Sequence, residues 1–154
     1  MKIHEILDKD AIKIGLESID KEETLKELVG VLAKVRNIGD QKATVKALIE
    51  RESLGSTGIG QGIAIPHGKT DKVNELIAVM GISKKGVNFD ALDGEPVYIF
   101  FLLIAPKDTA GPHLKALAQI SRLLRDTYFC ELIRRCKAPH EVYDLIKTEE
   151  EKKG

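Results

Sequence analysis

The stretch from Val97 to Ala105 is the most hydrophobic in the chain and does most to limit what it can become. An apolar run this unbroken suits a strand covered on both faces, because a strand with one wet face alternates. It is about half of the ~20 residues a membrane-crossing helix needs. It therefore reads as the central strand of a sheet, ended by Pro106. Leu76 to Ile82 reads as a second buried strand. Lys84-Lys85-Gly86 reads as a turn and Val87-Asn88-Phe89 as another short strand. Leu92-Asp93-Gly94 is a hairpin-like signal, which makes the sheet mixed rather than purely parallel.

Covering both faces takes helices, and the sequence supplies them. Asp20 with Glu23 forms a capping-box pattern ahead of Leu25, Leu28, Val29, Leu32 and Val35, which recur at helical spacing. That helix is expected to end near Arg36-Asn37. Asp40 caps a second helix over Gln41 to Ser53, closed by Leu54-Gly55. Pro112-His113 opens a third, Thr127 caps a fourth that runs to Arg135, and Pro139-His140 opens the last. The first 19 residues read as a short turn or helix leading to a brief strand around Ala11–Leu16. Strands interleaved with helices predict an α/β fold, a three-layer α/β/α sandwich with a central mixed β-sheet flanked by helices. With 154 residues, one domain over 1–147 is expected, with 148–154 a charged, frayed tail.

Lys+Arg and Asp+Glu balance at 24 each, which argues against bulk attraction to nucleic acid or an anionic membrane. Cys130 and Cys136 match neither Cys-x-x-Cys nor a zinc pattern and read as reduced thiols. Charges break every early apolar run, so no signal peptide is expected and the reading is cytoplasmic, without membrane insertion.

The chemistry concentrates in Gly55–Gly68, Gly-Ser-Thr-Gly-Ile-Gly-Gln-Gly-Ile-Ala-Ile-Pro-His-Gly. Glycine-rich backbone can turn several N–H groups towards one anion. Gly55, Gly58 and Gly60, with the hydroxyls of Ser56 and Thr57, are candidate phosphoryl-binding residues. Ile63-Ala64-Ile65 is a short β-prone run stopped by Pro66, so His67 is expected at a strand end. Imidazole suits a transient phosphoryl carrier, since its ordinary pKa of about 6.5 leaves a neutral nucleophilic nitrogen near pH 7. One ring nitrogen is expected to bond a backbone carbonyl, leaving the other to attack. Arg51, in the turn before the loop, offers charge and a fork of donors. His113, at a helix N-terminus, is placed to help bind an anion. Gly68-Lys69-Thr70 is not a phosphate-binding P-loop, because Ile63 stands where that motif needs glycine. Gly58-x-Gly60 likewise lacks the third glycine of a dinucleotide fingerprint. No metal ligand set stands out, and no cofactor is expected.

Gly-Ile-Gly-x-Gly-Ile-Ala-Ile-Pro-His-Gly resembles the phosphorylation-site motif of the fructose/mannitol-type IIA components of the bacterial phosphotransferase system, a likeness that runs nearly the length of the chain. The resemblance implies a phosphotransferase component that takes phosphoryl from phospho-HPr onto His67, with Nε2 as the attacking atom. It also implies that Arg51 stabilises charge and that His113, in His-Leu-x-x-Leu-Ala-x-Ile-Ser, is a hydrogen-bonding partner. Two roles follow. The group passes to a IIB protein and then a sugar, or it acts as a regulatory switch on target proteins, as in the nitrogen-related branch, which the motif resembles more. A third reading is an anion-binding domain of the same fold without turnover.

Overall fold

The computed structural model describes residues 2–108 and 110–153. The sequence of Lys107–Gly111 reads as a polar loop; Thr109 within it lies outside the described residues, as do Met1 and Gly154. Along the chain run α1 (Ile3–Ile6), β1 (Leu7–Ile14), α2 (Lys21–Ala33), α3 (Gln41–Ser53), β2 (Gly58–Gly60), β3 (Ile63–Ala64) and β4 (His67–Thr70). They are followed by β5 (Ile77–Val87), β6 (Val97–Pro106), α4 (Gly111–Leu124), α5 (Thr127–Arg135) and α6 (Pro139–Lys153).

The run at Val97–Ala105 forms β6, the hub of a six-stranded sheet ordered β1-β5-β6-β3-β2, with β4 also paired to β6. β5 and β6 pair antiparallel, whereas β1 lies parallel to β5, and β3 and β4 lie parallel to β6. The sheet is mixed, as the Leu92-Asp93-Gly94 signal implies. Gly94 has φ 74 and its N–H donates to Ala91 O at 2.9 Å.

Both faces of β6 are buried, which is why its sequence does not alternate. Ile99, Phe101 and Leu103 pack with residues of α1, α4, α5 and α6. Val97, Phe100, Leu102 and Ile104 pack with residues of α2 and α3. Helices therefore flank the sheet on both sides, in three layers. The approach of α2 is close: a Cβ on Gly81 of β5 would lie 2.6 Å from Leu28 Cδ2 and 2.8 Å from Leu16 Cδ1. A glycine is needed there for packing, not for an unusual backbone angle.

Several expected boundaries move. The first strand is Leu7–Ile14 rather than Ala11–Leu16. α2 ends at Ala33, short of Arg36-Asn37. The turn and short strand read at Lys84–Phe89 belong in part to one long β5, because β6 offers a partner up to Val87↔Val97. Asp126, not Thr127, caps α5, its carboxylate accepting from Phe129 N at 3.1 Å. The segment expected to fray is helical to Lys153. Glu150 clamps the first turn of the chain, accepting from Ile3 N at 2.6 Å and His4 N at 2.9 Å. The Glu150 carboxylate thus gives this charged helix two part-buried N–H groups to satisfy. Among the described residues no helix is long and apolar enough to cross a membrane.

Candidate active site

Three elements converge at one edge of the sheet: the end of α3, the start of β4 and the first turn of α4. Their residues Arg51, Leu54, His67, Lys69, His113 and Leu114 line an open cleft of about 510 Å³.

Arg51 arrives through helix register. Asp40 caps α3 by accepting from Lys42 N at 2.9 Å, and the helix carries Arg51 to its last turn. A cation is favoured there by the helix dipole. The backbone then swings away, with Gly55 at φ 147, and Gly55 O turns back to accept from Arg51 Nη1 at 2.8 Å. The guanidinium is thus fixed by the first residue of the glycine-rich loop.

His67 does not end a strand but opens one. β3 stops at Ala64, and the chain resumes pairing with β6 as β4, where His67↔Leu103 begins the register. Ile65 and Pro66 bridge the gap, and Pro66 O accepts from Leu103 N at 2.9 Å. Gly68-Lys69-Thr70, whose sequence reads as part of a polar connection from Gly68 to Asp71, is therefore strand. The imidazole has one contact at each nitrogen: Nδ1 lies 2.9 Å from Ile65 O, and Nε2 lies 3.2 Å from Arg51 Nε. A carbonyl oxygen can only accept and a guanidinium N–H can only donate. The partners therefore require Nδ1–H and a bare Nε2, the neutral tautomer with its lone pair towards Arg51. Burial lowers the His67 pKa below the ordinary 6.5, the Ile65 carbonyl works against that, and Arg51 lowers it further. The ring stays neutral at pH 7.

His113 stands edge-on to His67, with ring centroids 5.4 Å apart and planes at 68°. Pro112 precedes it in the first turn of α4, where a missing N–H costs little. The His113 side chain is buried, 5% exposed, and its Nδ1 has no hydrogen-bond partner among the described residues. Burial, with smaller contributions from His67 and Lys69, pushes its pKa down to about 4.

This has a consequence for stability. Between the unperturbed value of 6.5 and about 4, the unfolded chain binds a proton at His113 that the folded chain refuses. Stability is therefore intact above the upper value and falls as pH drops through the window, by at most about 1.4 kcal/mol per pH unit. In urea unfolding at pH 7 and pH 5, the wild-type chain is expected to lose more stability than His113→Gln. Equal losses would show that the ring is not held neutral.

The glycine-rich loop behaves differently from its sequence reading. Gly55 N donates to Glu52 O at 3.0 Å, Thr57 N to the Glu52 carboxylate at 3.2 Å, and Gly58 N to Ser56 Oγ at 3.0 Å. Ser56 Oγ donates to Phe89 O at 3.3 Å, and Gly58–Gly60 forms β2. At Gly58 the missing side chain admits a neighbour, since a Cβ would meet Ala91 Cβ at 2.8 Å. The donors of Gly55, Thr57 and Gly58 serve the protein's own backbone and side chains, so the loop supports the site rather than lining it. The structure brings His67, Arg51 and His113 together and leaves Gly55, Ser56, Thr57, Gly58 and Gly60 outside the cleft lining. The sequence reading missed Lys69, two positions after His67 on one strand and so on the same face. It also missed the exposed apolar rim of Leu54 and Leu114, 84% and 65% exposed.

Residues 5–149 match the family described as phosphoenolpyruvate-dependent sugar phosphotransferase system, EIIA 2. The chain is 39% identical over 146 residues to the PTS system fructose-specific EIIABC component of Bacillus subtilis, an alignment covering 95% of this chain and 23% of that protein. It is 34% identical over 146 residues to a nitrogen regulatory protein of Bradyrhizobium diazoefficiens, 95% of each being covered. The crystal structure of nitrogen regulatory protein IIA-Ntr from Neisseria meningitidis is similar in fold, with a TM-score of 0.87 and 30% identity, covering 94% of this chain and 98% of that one.

Proposed function

From the premise that the chain belongs to the EIIA 2 family of the sugar phosphotransferase system, we propose that it is a phosphocarrier in which His67 Nε2 accepts a phosphoryl group from phospho-HPr. The observation that carries this reading is the pair of contacts on one ring, Nδ1–H to Ile65 O and Arg51 Nε–H to Nε2. They leave an oriented lone pair with a cation beside it.

In the step itself, the donor's N–P bond breaks and its ring nitrogen keeps the electron pair. The His67 Nε2 lone pair forms the new N–P bond, while Nδ1 keeps its proton and its carbonyl. No base is needed. The transition state is loose, with charge on the equatorial oxygens, so alignment and positive charge do most of the work. Arg51 exchanges its contact with Nε2 for contacts to phosphoryl oxygens, and Lys69 adds a second cation on the same strand. The neutral His113 ring, edge-on to His67 at the cleft wall, supplies a further polar contact. Leu54 and Leu114, both exposed and both lining the cleft, suit docking of a protein donor better than a free sugar phosphate.

Downstream, the regulatory reading is favoured, because nitrogen regulatory proteins recur among both the similar sequences and the similar structures. The second reading, a transport component that feeds a IIB protein and a sugar, rests on the fructose-specific relative. Intact mass after incubation with phosphoenolpyruvate, enzyme I and HPr tests the carrier step. One added phosphoryl group, removed by brief acid, is expected. No adduct while HPr itself is phosphorylated would leave the anion-binding domain as the better account. Fast onward transfer to a sugar-specific IIB protein would sink the regulatory reading.

A further inference from the structure

Next to Arg51, and facing away from the cleft, is a carboxylate that the transfer step does not touch. Glu52 is 6% exposed. Burying a carboxylate is costly unless its oxygens are satisfied, and here they are. Thr57 N donates to both oxygens, at 3.2 and 3.3 Å, and the Thr57 hydroxyl donates to Oε2. Lys21, the first residue of α2, brings Nζ to 3.2 Å of Oε1. That ammonium also lies 4.9 Å above the Phe89 ring and 3.9 Å from Asp90. The end of α3, the start of α2 and the loop are therefore tied at one buried point.

Two chains of contacts leave that point for the reacting groups. One runs two residues back along the loop to Gly55, whose carbonyl holds Arg51 Nη1 at 2.8 Å. The other runs from Thr57 O, which accepts from Ile65 N at 3.0 Å, to Ile65 O, which accepts from His67 Nδ1. The nucleophile's tautomer and the guanidinium's fork thus hang from the same residue, Thr57, which Glu52 grips by both its N–H and its hydroxyl.

The geometry points to Glu52 as a positioning residue for phosphoryl transfer, acting through Thr57 to hold His67 and Arg51 in register with one another. Thr57 belongs to this support and not to the phosphoryl-binding surface. The assignment rests on the phosphocarrier reading for its kinetic consequence, while its structural consequence can be read without any transfer.

Three variants test it: Glu52→Gln, Thr57→Val and Thr57→Ser. The first presents an N–H₂ where three donors converge. The second keeps the backbone N–H but loses the hydroxyl, and the third keeps both. For folded Glu52→Gln and Thr57→Val proteins, single-turnover transfer at saturating phospho-HPr is expected to slow by about 10²-fold, as for a misplacement near 1 Å. The donor concentration giving half-maximal rate should not change, and Thr57→Ser should transfer as the wild-type chain does. In parallel, ¹⁵N shifts of the His67 ring in unphosphorylated protein should move from a pure Nδ1–H tautomer towards a mixture in the two slow variants. If Glu52→Gln fails to fold, Thr57→Val against Thr57→Ser decides the matter alone. Wild-type transfer rates in Glu52→Gln or Thr57→Val overturn the assignment, and so does slowing with an unmoved tautomer. If the wild-type chain takes no phosphoryl group, the carrier reading fails, and the ring shifts still decide whether Glu52 positions His67.

Discussion

A His67→Ala protein is expected to leave the phosphoenolpyruvate, enzyme I and HPr mixture with its mass unchanged. The loss should be complete rather than partial, because no other described side chain at the cleft combines a bare nitrogen with exposure. His113 is the nearest imidazole, but it is 5% exposed and its unpartnered nitrogen is buried. An in-line approach by a donor protein requires an open face on the nucleophile, which His113 lacks. The Arg51 guanidinium and Lys69 ammonium are donors only and offer no lone pair. The variant should still fold, since the half-buried His67 ring gives up only two hydrogen bonds, one to Ile65 O worth about 1 kcal/mol and one from the Arg51 guanidinium worth about 2 kcal/mol. A folded His67→Ala chain carrying one acid-labile phosphoryl group would remove His67 from the acceptor role and require another nucleophile.

Arg51 is expected to show the next largest effect. Arg51→Ala should accept phosphoryl about 10²–10³-fold more slowly, the usual cost of losing one charge-stabilising contact in a transition state. The more telling variant is Arg51→Lys. In the native chain one side chain spans two acceptors, Nε to His67 Nε2 at 3.2 Å and Nη1 to Gly55 O at 2.8 Å. A planar fork does this with its own rigidity, whereas an ammonium is a point charge on a flexible stem. Lysine is therefore expected to recover little of the lost rate in single-turnover transfer. Full recovery by lysine would mean that charge alone matters and that the fork is incidental.

How far the sequence carried depended on the kind of force involved. The two apolar runs, the caps at Asp20 and Asp40 and the Pro112 helix start are local signals, and each became the expected element. His67, Arg51 and His113 come from separate elements, yet the structure brings them together at one cleft. β4 was hidden because Gly68-Lys69-Thr70 has little β-propensity. Its pairing is imposed by the backbone of β6, which no local pattern records. The loop was misread for a related reason. Glycine spacing reports what a backbone can do, but not that Glu52, three residues upstream of Gly55, would be buried and claim the donor at Thr57. A carboxylate at a helix end looks like a surface residue until the fold places Lys21 beside it. The terminal charged segment was expected to fray because composition cannot reveal that Glu150 meets the first turn of the chain across the whole sequence.

The position of β3 and β4 also bears on the order in which the protein assembles. β5 and β6 are joined by a short connection and can pair early, since closing a small loop costs little chain entropy. β3 and β4 join the sheet through β6, about three dozen residues further along, and lie parallel to it, so their docking must wait until β6 exists. The Ile65 carbonyl that selects the His67 tautomer belongs to that late segment. A chain caught midway through refolding would thus hold most of its core and no competent nucleophile. In a refolding time course, the capacity to be phosphorylated is expected to return after the β5–β6 core has formed, and its recovery ahead of that core would refute this order.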